Sequence, residues 1–217
     1  MSFRSAREQV HAACIELADL GFLAGTGGNF ALRVDDGHFA VTPSALDYYA
    51  MTPDDVGIVR LSDGIQVEGD RPASVESGLH AAVLRARPGA SASVHTHQPI
   101  ASAYTLLGKP LVVTGNRHRQ ILGARVPYVE YAPSGTAWLA MRVGTVFETG
   151  CAACLMRNHG VVCVGGAVHE ATERVLALEA ECATLLLEAL APSLPSAVRA
   201  PVSALLEAAL GPPGTTP

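Results

Sequence analysis

The sequence predicts an α/β chain of the α+β type, a mainly antiparallel sheet covered by helices, and three observations carry that class. Short apolar stretches of strand length, separated by Gly-rich and Asp-Gly turns, fill residues 22–69. Stretches with a three-and-four spacing of apolar residues open the chain and recur between the later strands. No internal repeat is apparent, so the elements belong to one unit rather than an array. With 217 residues the chain can bury the core of a single domain. That domain is expected over residues 1–191, followed by a Pro/Ala-rich tail over 192–217.

Residues 3–20 read as the opening helix because Val10, Ala13, Cys14, Leu17 and Leu20 recur at helical intervals, and Gly21 ends it. GFLAGTGGNFALRV is a glycine-rich turn feeding a strand, and Asp35-Asp36-Gly37 turns the chain into a second strand, HFAVTP. TPDDV, residues 52–56, is a helix start or turn with Pro53 at its first position. GIVRLSDGIQVEG forms another hairpin around Asp63-Gly64. SVESGLHAAVLRAR, residues 74–87, has helical spacing with Ser74 as its cap. PGASASVHTHQP follows as a strand, residues 99–107 as a helix, and Val126–Glu130 as a strand. Residues 135–148 are an amphipathic helix. CAACLMRNHGVVCVGG is a buried strand pair around Asn158-His159-Gly160, and AVHEATERVLALEAECATLLLEAL is a long helix. After Pro192 the change to Pro, Ala and Ser, with a short VSALLEAAL patch, predicts a weakly ordered or partner-dependent tail.

Composition excludes several classes. A formal net charge of -5 and no run of Lys or Arg leave no basic field for nucleic acid. Hydrophobic residues make up 49% of the chain, but charges interrupt every stretch of roughly 20 residues that a membrane helix needs. MSFRSAREQV places charges where a signal peptide has its apolar core, so the expected location is the cytoplasm. The five cysteines are an odd count, and only Cys151 and Cys154 have C-x-x-C spacing. With no second pair for a structural zinc site, they are expected to be reduced and buried.

The chemistry concentrates in SVHTHQP, residues 93–99. On a strand, residues two apart share a face, so His95 and His97 project together and can share one metal ion. A catalytic metal site takes about three protein ligands and leaves a position open. The third ligand is offered by His159, beside a glycine that permits close approach, or by Glu76 or His80 in VESGLH. His11, His38, His118 and His169 read as ordinary surface or hydrogen-bonded histidines.

GTGGNFALR, AVTPSALDY, ASVESGLHAAV, ASVHTHQPIASAY and LMRNHGVVCVGG, taken together in this order and spacing, resemble the class II aldolase and adducin head-domain family. The resemblance covers residues 5–188 and is nearest in pattern to its fuculose-phosphate aldolase branch. It implies a three-layer α/β/α sandwich with a largely antiparallel central sheet. It also implies zinc ligands at His95, His97 and His159, with Mn2+ or Co2+ as alternatives to Zn2+, and a proton shuttle at Glu76. Gly28, Asn29, Ser44 and Ser74 correspond to the family's contacts with the substrate phosphate. A small-molecule carbonyl substrate and a homotetramer, its active sites near subunit boundaries, follow from the same resemblance.

The residue types suit that chemistry. Breaking a carbon-carbon bond beside a ketone leaves an enediolate, and zinc held by neutral histidines keeps its full charge to stabilise it. The function expected first is a zinc-dependent aldolase-type lyase acting on a hydroxy-ketone or ketose. A decarboxylase or dehydratase on the same metal is the alternative, and a non-catalytic adducin-like binding module is the third reading. The chain departs from the fuculose-phosphate pattern at several points. Ala45 stands for a glycine, Val75 for a serine, and Asn116 for a mobile-loop tyrosine, and no aromatic residue follows Phe147. Arg117, His118 and Arg119 read either as a replacement proton donor or anion contact, or as a solvated basic loop.

Overall fold

The computed structural model describes residues 1–190 and 192–209, with 207–209 as backbone alone. Helix α1 (Phe3–Asp19) starts where the Ser2 hydroxyl accepts the Ser5 N–H at 3.1 Å, and it buries Ala6, Val10, Ala13, Cys14 and Leu17. It stops at Gly21, whose φ of 78° a side-chain-bearing residue adopts only at a cost. There Gly21 N–H donates to Ala18 and Phe22 N–H to Leu17, both at 2.9 Å, which satisfies the last carbonyls of the helix.

The following strands are β1 (Asn29–Arg33), β2 (His38–Val41), β3 (Gly57–Arg60) and β4 (Gln66–Glu68). Helix α2 (Ser77–Ala86) leads to β5 (Ala92–Thr96), α3 (Pro99–Tyr104), β6 (Leu111–Val112), α4 (Asn116–Leu122) and β7 (Arg125–Val126). Then come β8 (Tyr128–Val129), α5 (Ala137–Phe147), β9 (Ala153–Met156), β10 (Gly160–Gly165), α6 (Val168–Leu190) and α7 (Ser196–Ala209). Eight strands form one sheet in the order β4-β3-β2-β1-β5-β10-β9-β8, and β6 pairs with β7 alone. All pairings are antiparallel except β8 with β9.

Side-chain alternation along the strands builds two cores. Phe30, Leu32, Ile58, Val94, Leu155 and Val161 pack with α1, α3 and α6 on one face. Ala31, Phe39, Val41, Val59, Met156 and Val162 pack with α2 and α5 on the other. The architecture is therefore a three-layer α/β/α sandwich with a largely antiparallel sheet. Among the described residues no helix is long and apolar enough to cross a membrane. All five cysteines are free, and four of them are buried.

The single strand expected over Val126–Glu130 is broken at Pro127 into β7 and β8, which pair in different sheets, and three further segments differ from the sequence expectation. Helix α2 begins at Ser77, not Ser74, because Ser74 N–H is committed to the Thr42 carbonyl and a bridge joins Pro43 to Ala73. The Ser74 hydroxyl instead accepts the Glu76 N–H at 3.2 Å. The basic segment 116–122 is the helix α4 rather than a loop, anchored by the buried Glu181 of α6. Glu181 accepts from the Thr114 N–H and hydroxyl, and its Oε2 lies 2.6 Å from His118 Nδ1. The stretch after 192, expected to be weakly ordered, contains α7, whose Leu206 is buried in the α1/α6 core with Val202 packed beside it. Residues 210–217 of that tail lie outside the described residues.

Two outcomes follow from these positions. Ala45 is exposed and holds φ at 53°, where a Cβ costs more than glycine's extra unfolded-state freedom. Ala45→Gly is expected to raise unfolding free energy by about 0.5–1 kcal/mol in urea denaturation. For Glu181, burial pushes the carboxyl up, but hydrogen bonds from Thr114, His118 and Gly115 outweigh it and hold the group below the ordinary glutamate range. Its contribution is thus present above that range and lost as pH falls through it toward the folded value. Glu181→Gln is expected to cost about 1–3 kcal/mol at neutral pH, with the difference from wild type shrinking below about pH 4.

Candidate metal centre

The site is assembled at one end of β5, which lies between β1 and β10 in the middle of the sheet. His95 is fully buried and sits in register with Asn29 on β1 and Val162 on β10. Its Nδ1 lies 2.8 Å from the Val161 carbonyl oxygen. A carbonyl only accepts, so Nδ1 carries the proton and Nε2 presents a lone pair, the arrangement a metal-ligating imidazole needs. β5 ends at Thr96, one residue before His97, yet the two side chains stay together: His97 Nε2 is 2.9 Å from His95 Nε2. His159 comes from the three-residue loop between β9 and β10, in which Asn158 takes a φ of 51°. Ring centroids of His95 lie 4.7 Å from both His97 and His159, and the three donor atoms fall within 4.8 Å of one another.

Two glycines make this convergence possible. A Cβ on Gly160 would collide with the Thr96 carbonyl oxygen and come within 2.9 Å of His97 Cδ2 and 3.2 Å of His95 Cε1. On the other neighbour, Gly28 has a φ of 79°, and a Cβ there would lie 2.8 Å from the His95 carbonyl oxygen. The Tyr48 hydroxyl, in a 4% exposed side chain, donates to the Gly28 carbonyl at 2.7 Å and holds the turn against β5.

Glu76 immediately precedes α2, and its side chain is buried beside the histidines. Its Oε2 is 3.2 Å from His95 Nε2 and its Oε1 is 3.2 Å from His159 Nε2. Asn29 Nδ2 donates to Oε2 at 2.8 Å, and the Ser134 hydroxyl donates to Oε1 at 2.7 Å. Burial pushes this carboxyl up, but in the metal-free protein the hydrogen bonds from His159 and His95, the charge His95 bears when its Nε2 also holds a proton, and the Asn29 bond hold it well below the usual carboxylate range. Asn29 Oδ1 lies 2.6 Å from His80 Nε2, which must therefore carry a proton, so His80 Nδ1 accepts from the Ser93 hydroxyl at 2.8 Å. Burial is the main cause that lowers His80 to about 3, so it is a neutral support behind the site and not a ligand.

These residues fit a metal ion. Three imidazoles with their ring nitrogens turned toward one point, one with its lone pair fixed by a carbonyl partner, form a neutral nitrogen donor set suited to a first-row divalent cation. His159 Nδ1 is buried without a hydrogen-bond partner among the described residues, so the ring is held by the hairpin loop and through its Nε2, 3.2 Å from Glu76 Oε1.

The remaining sequence candidates are placed as follows. Gly28 and Asn29 lie against the cluster; the Asn29 side chain is bonded to both Glu76 and His80, leaving one amide hydrogen for a ligand. Ser74 is buried two residues before Glu76 with its N–H on the Thr42 carbonyl, and across the antiparallel Pro43–Ala73 bridge the Ser44 N–H donates to the Pro72 carbonyl at 2.9 Å. Arg117, His118 and Arg119 lie on α4 against α6, with Arg117 Nη2 4.0 Å from Glu173 and His118 on Glu181, apart from the histidine cluster. The roles of Ser134 and of Tyr48, which closes the AVTPSALDY motif, are not legible in the sequence. Ser134 lies 58 residues from Glu76 in a Pro-Ser-Gly turn with no short-range signal.

The family model of the class II aldolase and adducin N-terminal domain matches residues 8–186. The chain is 33% identical over 165 residues to a 5-deoxy-D-ribulose 1-phosphate aldolase of Bacillus thuringiensis serovar kurstaki, covering 75% of each chain. It is 31% identical over 182 residues to a methylthioribulose-1-phosphate dehydratase of Serratia proteamaculans, covering 77% of this chain and 87% of that one. The crystal structure of L-fuculose-1-phosphate aldolase from Thermus thermophilus superposes with a TM-score of 0.75 at 30% identity, over 88% of this chain and 98% of that chain. With its fold, its histidine cluster and these relatives in agreement, the chain belongs to the class II aldolase and adducin N-terminal domain family.

Proposed function

We propose that the chain is a metal-dependent lyase of the aldolase type acting on a ketose phosphate, with Zn2+ held by His95, His97 and His159 and with Glu76 as proton shuttle. The observation that carries this reading is the Glu76 carboxylate, buried and 3.2 Å from ring nitrogens of both His95 and His159. Bound there, a divalent cation supplies the positive charge that stabilises the anion left when a bond next to a carbonyl breaks. Glu76 is then the carboxylate beside the reacting carbon, able to take or return a proton at Oε1 or Oε2. Asn29 and Ser134 hold one oxygen each, so the carboxylate keeps its orientation through the transfer. His80 and Ser93 fix Asn29 from behind. Gly28, Asn29, Ser44 and Ser74 are the proposed phosphate contacts; the phosphate esters named in the relatives support that assignment.

A dehydratase on the same residues is the second reading, favoured by the Serratia relative's name. The two are separated by incubating the metal-loaded protein with ketose 1-phosphates. Two carbonyl fragments support the aldolase, and loss of water from an otherwise intact chain supports the dehydratase.

Substitutions test the assignments individually. His159→Ala is expected to lose bound metal and activity together, by elemental mass spectrometry and assay. Glu76→Gln is expected to keep its metal and lose kcat by about 10²–10⁴-fold, the usual size of a general acid–base contribution; a metal-free Glu76→Gln protein would refute this role. Gly160→Ala is expected to destabilise the fold by about 1–3 kcal/mol and lower metal occupancy, because β10 must move away from β5. An occupancy equal to wild type counts against the close packing described above.

A further inference from the structure

A second constellation lies at the opposite end of the β9–β10 hairpin from the histidines. The histidine end is the Met156–Gly160 pair, and the other end is marked by the Val164 N–H bonded to the Ala152 carbonyl. Four residues of strand, about 13 Å at about 3.3 Å per residue, separate the two ends along β9. There the start of β9, the end of α4, β7 and α6 enclose a cleft of about 590 Å3. Arg87, Arg125 and Arg174 all line it, and among the described residues no aspartate or glutamate does.

That charge is barely compensated. Arg87 Nη1 donates to the Cys151 carbonyl, and Arg174 donates from Nε to the Ile121 carbonyl at 3.3 Å and from Nη1 to the Val164 carbonyl. Carbonyls hold these guanidinium groups in place but leave them cationic. Arg87 and Arg125 make no ion pair among the described residues, and Arg174 has only Glu170, 4.0 Å away and itself bonded to the Gly166 N–H. In a chain with 20 acidic and 15 basic residues, an acid-free cleft with three arginines runs against the average composition. Two of the cations are partly withdrawn from water, where an unpaired charge is costly and an anionic ligand is correspondingly favoured. Each guanidinium carries five N–H donors, so unused ones remain on all three, in the fork geometry that suits phosphate oxygens. The volume falls in the range of small-molecule sites and well above that of a lone ion, with Leu122 and Pro127 as apolar walls.

We propose that this cleft is a second binding site, separate from the metal centre, for a phosphate ester or other multivalent phosphate anion. It does not depend on the function proposed above.

The test is calorimetric titration of the metal-loaded protein with inorganic pyrophosphate, on wild type and on Arg125→Glu, Arg87→Gln and Arg4→Glu. Arg125 is exposed and makes no side-chain hydrogen bond among the described residues, so its replacement does not threaten the fold. Arg4→Glu makes the same charge change on exposed α1. A pyrophosphate site in the wild type that is weakened at least tenfold by Arg125→Glu, weakened by Arg87→Gln and untouched by Arg4→Glu establishes the proposal. The site should also weaken as chloride rises. Absence of binding in the wild type overturns it, as does binding that Arg125→Glu leaves unchanged. Equal weakening by Arg4→Glu overturns it too, since the effect would then be net charge. If Arg87→Gln fails to fold, the Arg125 and Arg4 pair decides by itself.

Discussion

Close approach of three backbones at the end of β5 is the constraint on which the site depends. β1 and β10 both press on this strand around His95, and on each side a glycine, Gly28 just before β1 and Gly160 at the start of β10, has no room for a Cβ against the β5 backbone. Packing of this kind is decided by sterics rather than by attraction, since a single methyl group would force strands apart that otherwise share a continuous hydrogen-bonded ladder. The same closeness brings His159, from the far side of a hairpin, within reach of two histidines more than sixty residues earlier.

Glu76 shows the second constraint, which is electrostatic. A carboxylate taken out of water is unfavourable unless hydrogen bonds and opposite charge replace its hydration. Here Asn29, Ser134, His95 and His159 surround its two oxygens. The order continues behind it, because His80 has one proton to give and gives it to Asn29, while Ser93 supplies the other side of the ring. A fully satisfied polar chain through the middle layer fixes the tautomer of each member, and a single missing partner would leave a buried group unpaired. The phosphate reading of Asn29 therefore has to share that side chain with a structural duty.

The chain also uses carboxylates as anchors for backbone. Glu179 of α6 receives the N–H groups of Ile100 and Ala101 at 2.8 Å each, at the start of α3 just after His97. Glu181, two residues on, does the same for Thr114 and Gly115 ahead of α4. Helix α6 thus holds both short helices that follow β5. Gln98 adds a third tie through its amide to the Val175 carbonyl at 3.0 Å. This explains why a segment with the look of a solvated basic loop is helical: the two residues ahead of its first turn and the His118 side chain are all held by a buried acid that lies 67 residues away from Thr114 in the sequence.

What the sequence determined by itself is what local spacing encodes. The apolar intervals of α1, the alternation in the strands and the H-x-H pair are statements about neighbours within a few residues, and the structure contains them close to where the spacing puts them. Through family resemblance the ordered series of motifs also pointed to the layered fold and picked out His95, His97, His159 and Glu76, which the structure brings together. Tertiary structure decided the rest. Ser134 carries no local mark, and Tyr48, though it closes the AVTPSALDY motif, carries no sign of its role there; they matter because folding sets them against Glu76 and Gly28. Ser74 looked like a helix cap until its backbone was drawn to Thr42, and the stretch after Pro192 gained a helix because Leu206 found the α6 core to bury in. In each case the deciding energy is a long-range contact, a hydrogen bond or buried apolar area, which no window along the chain contains.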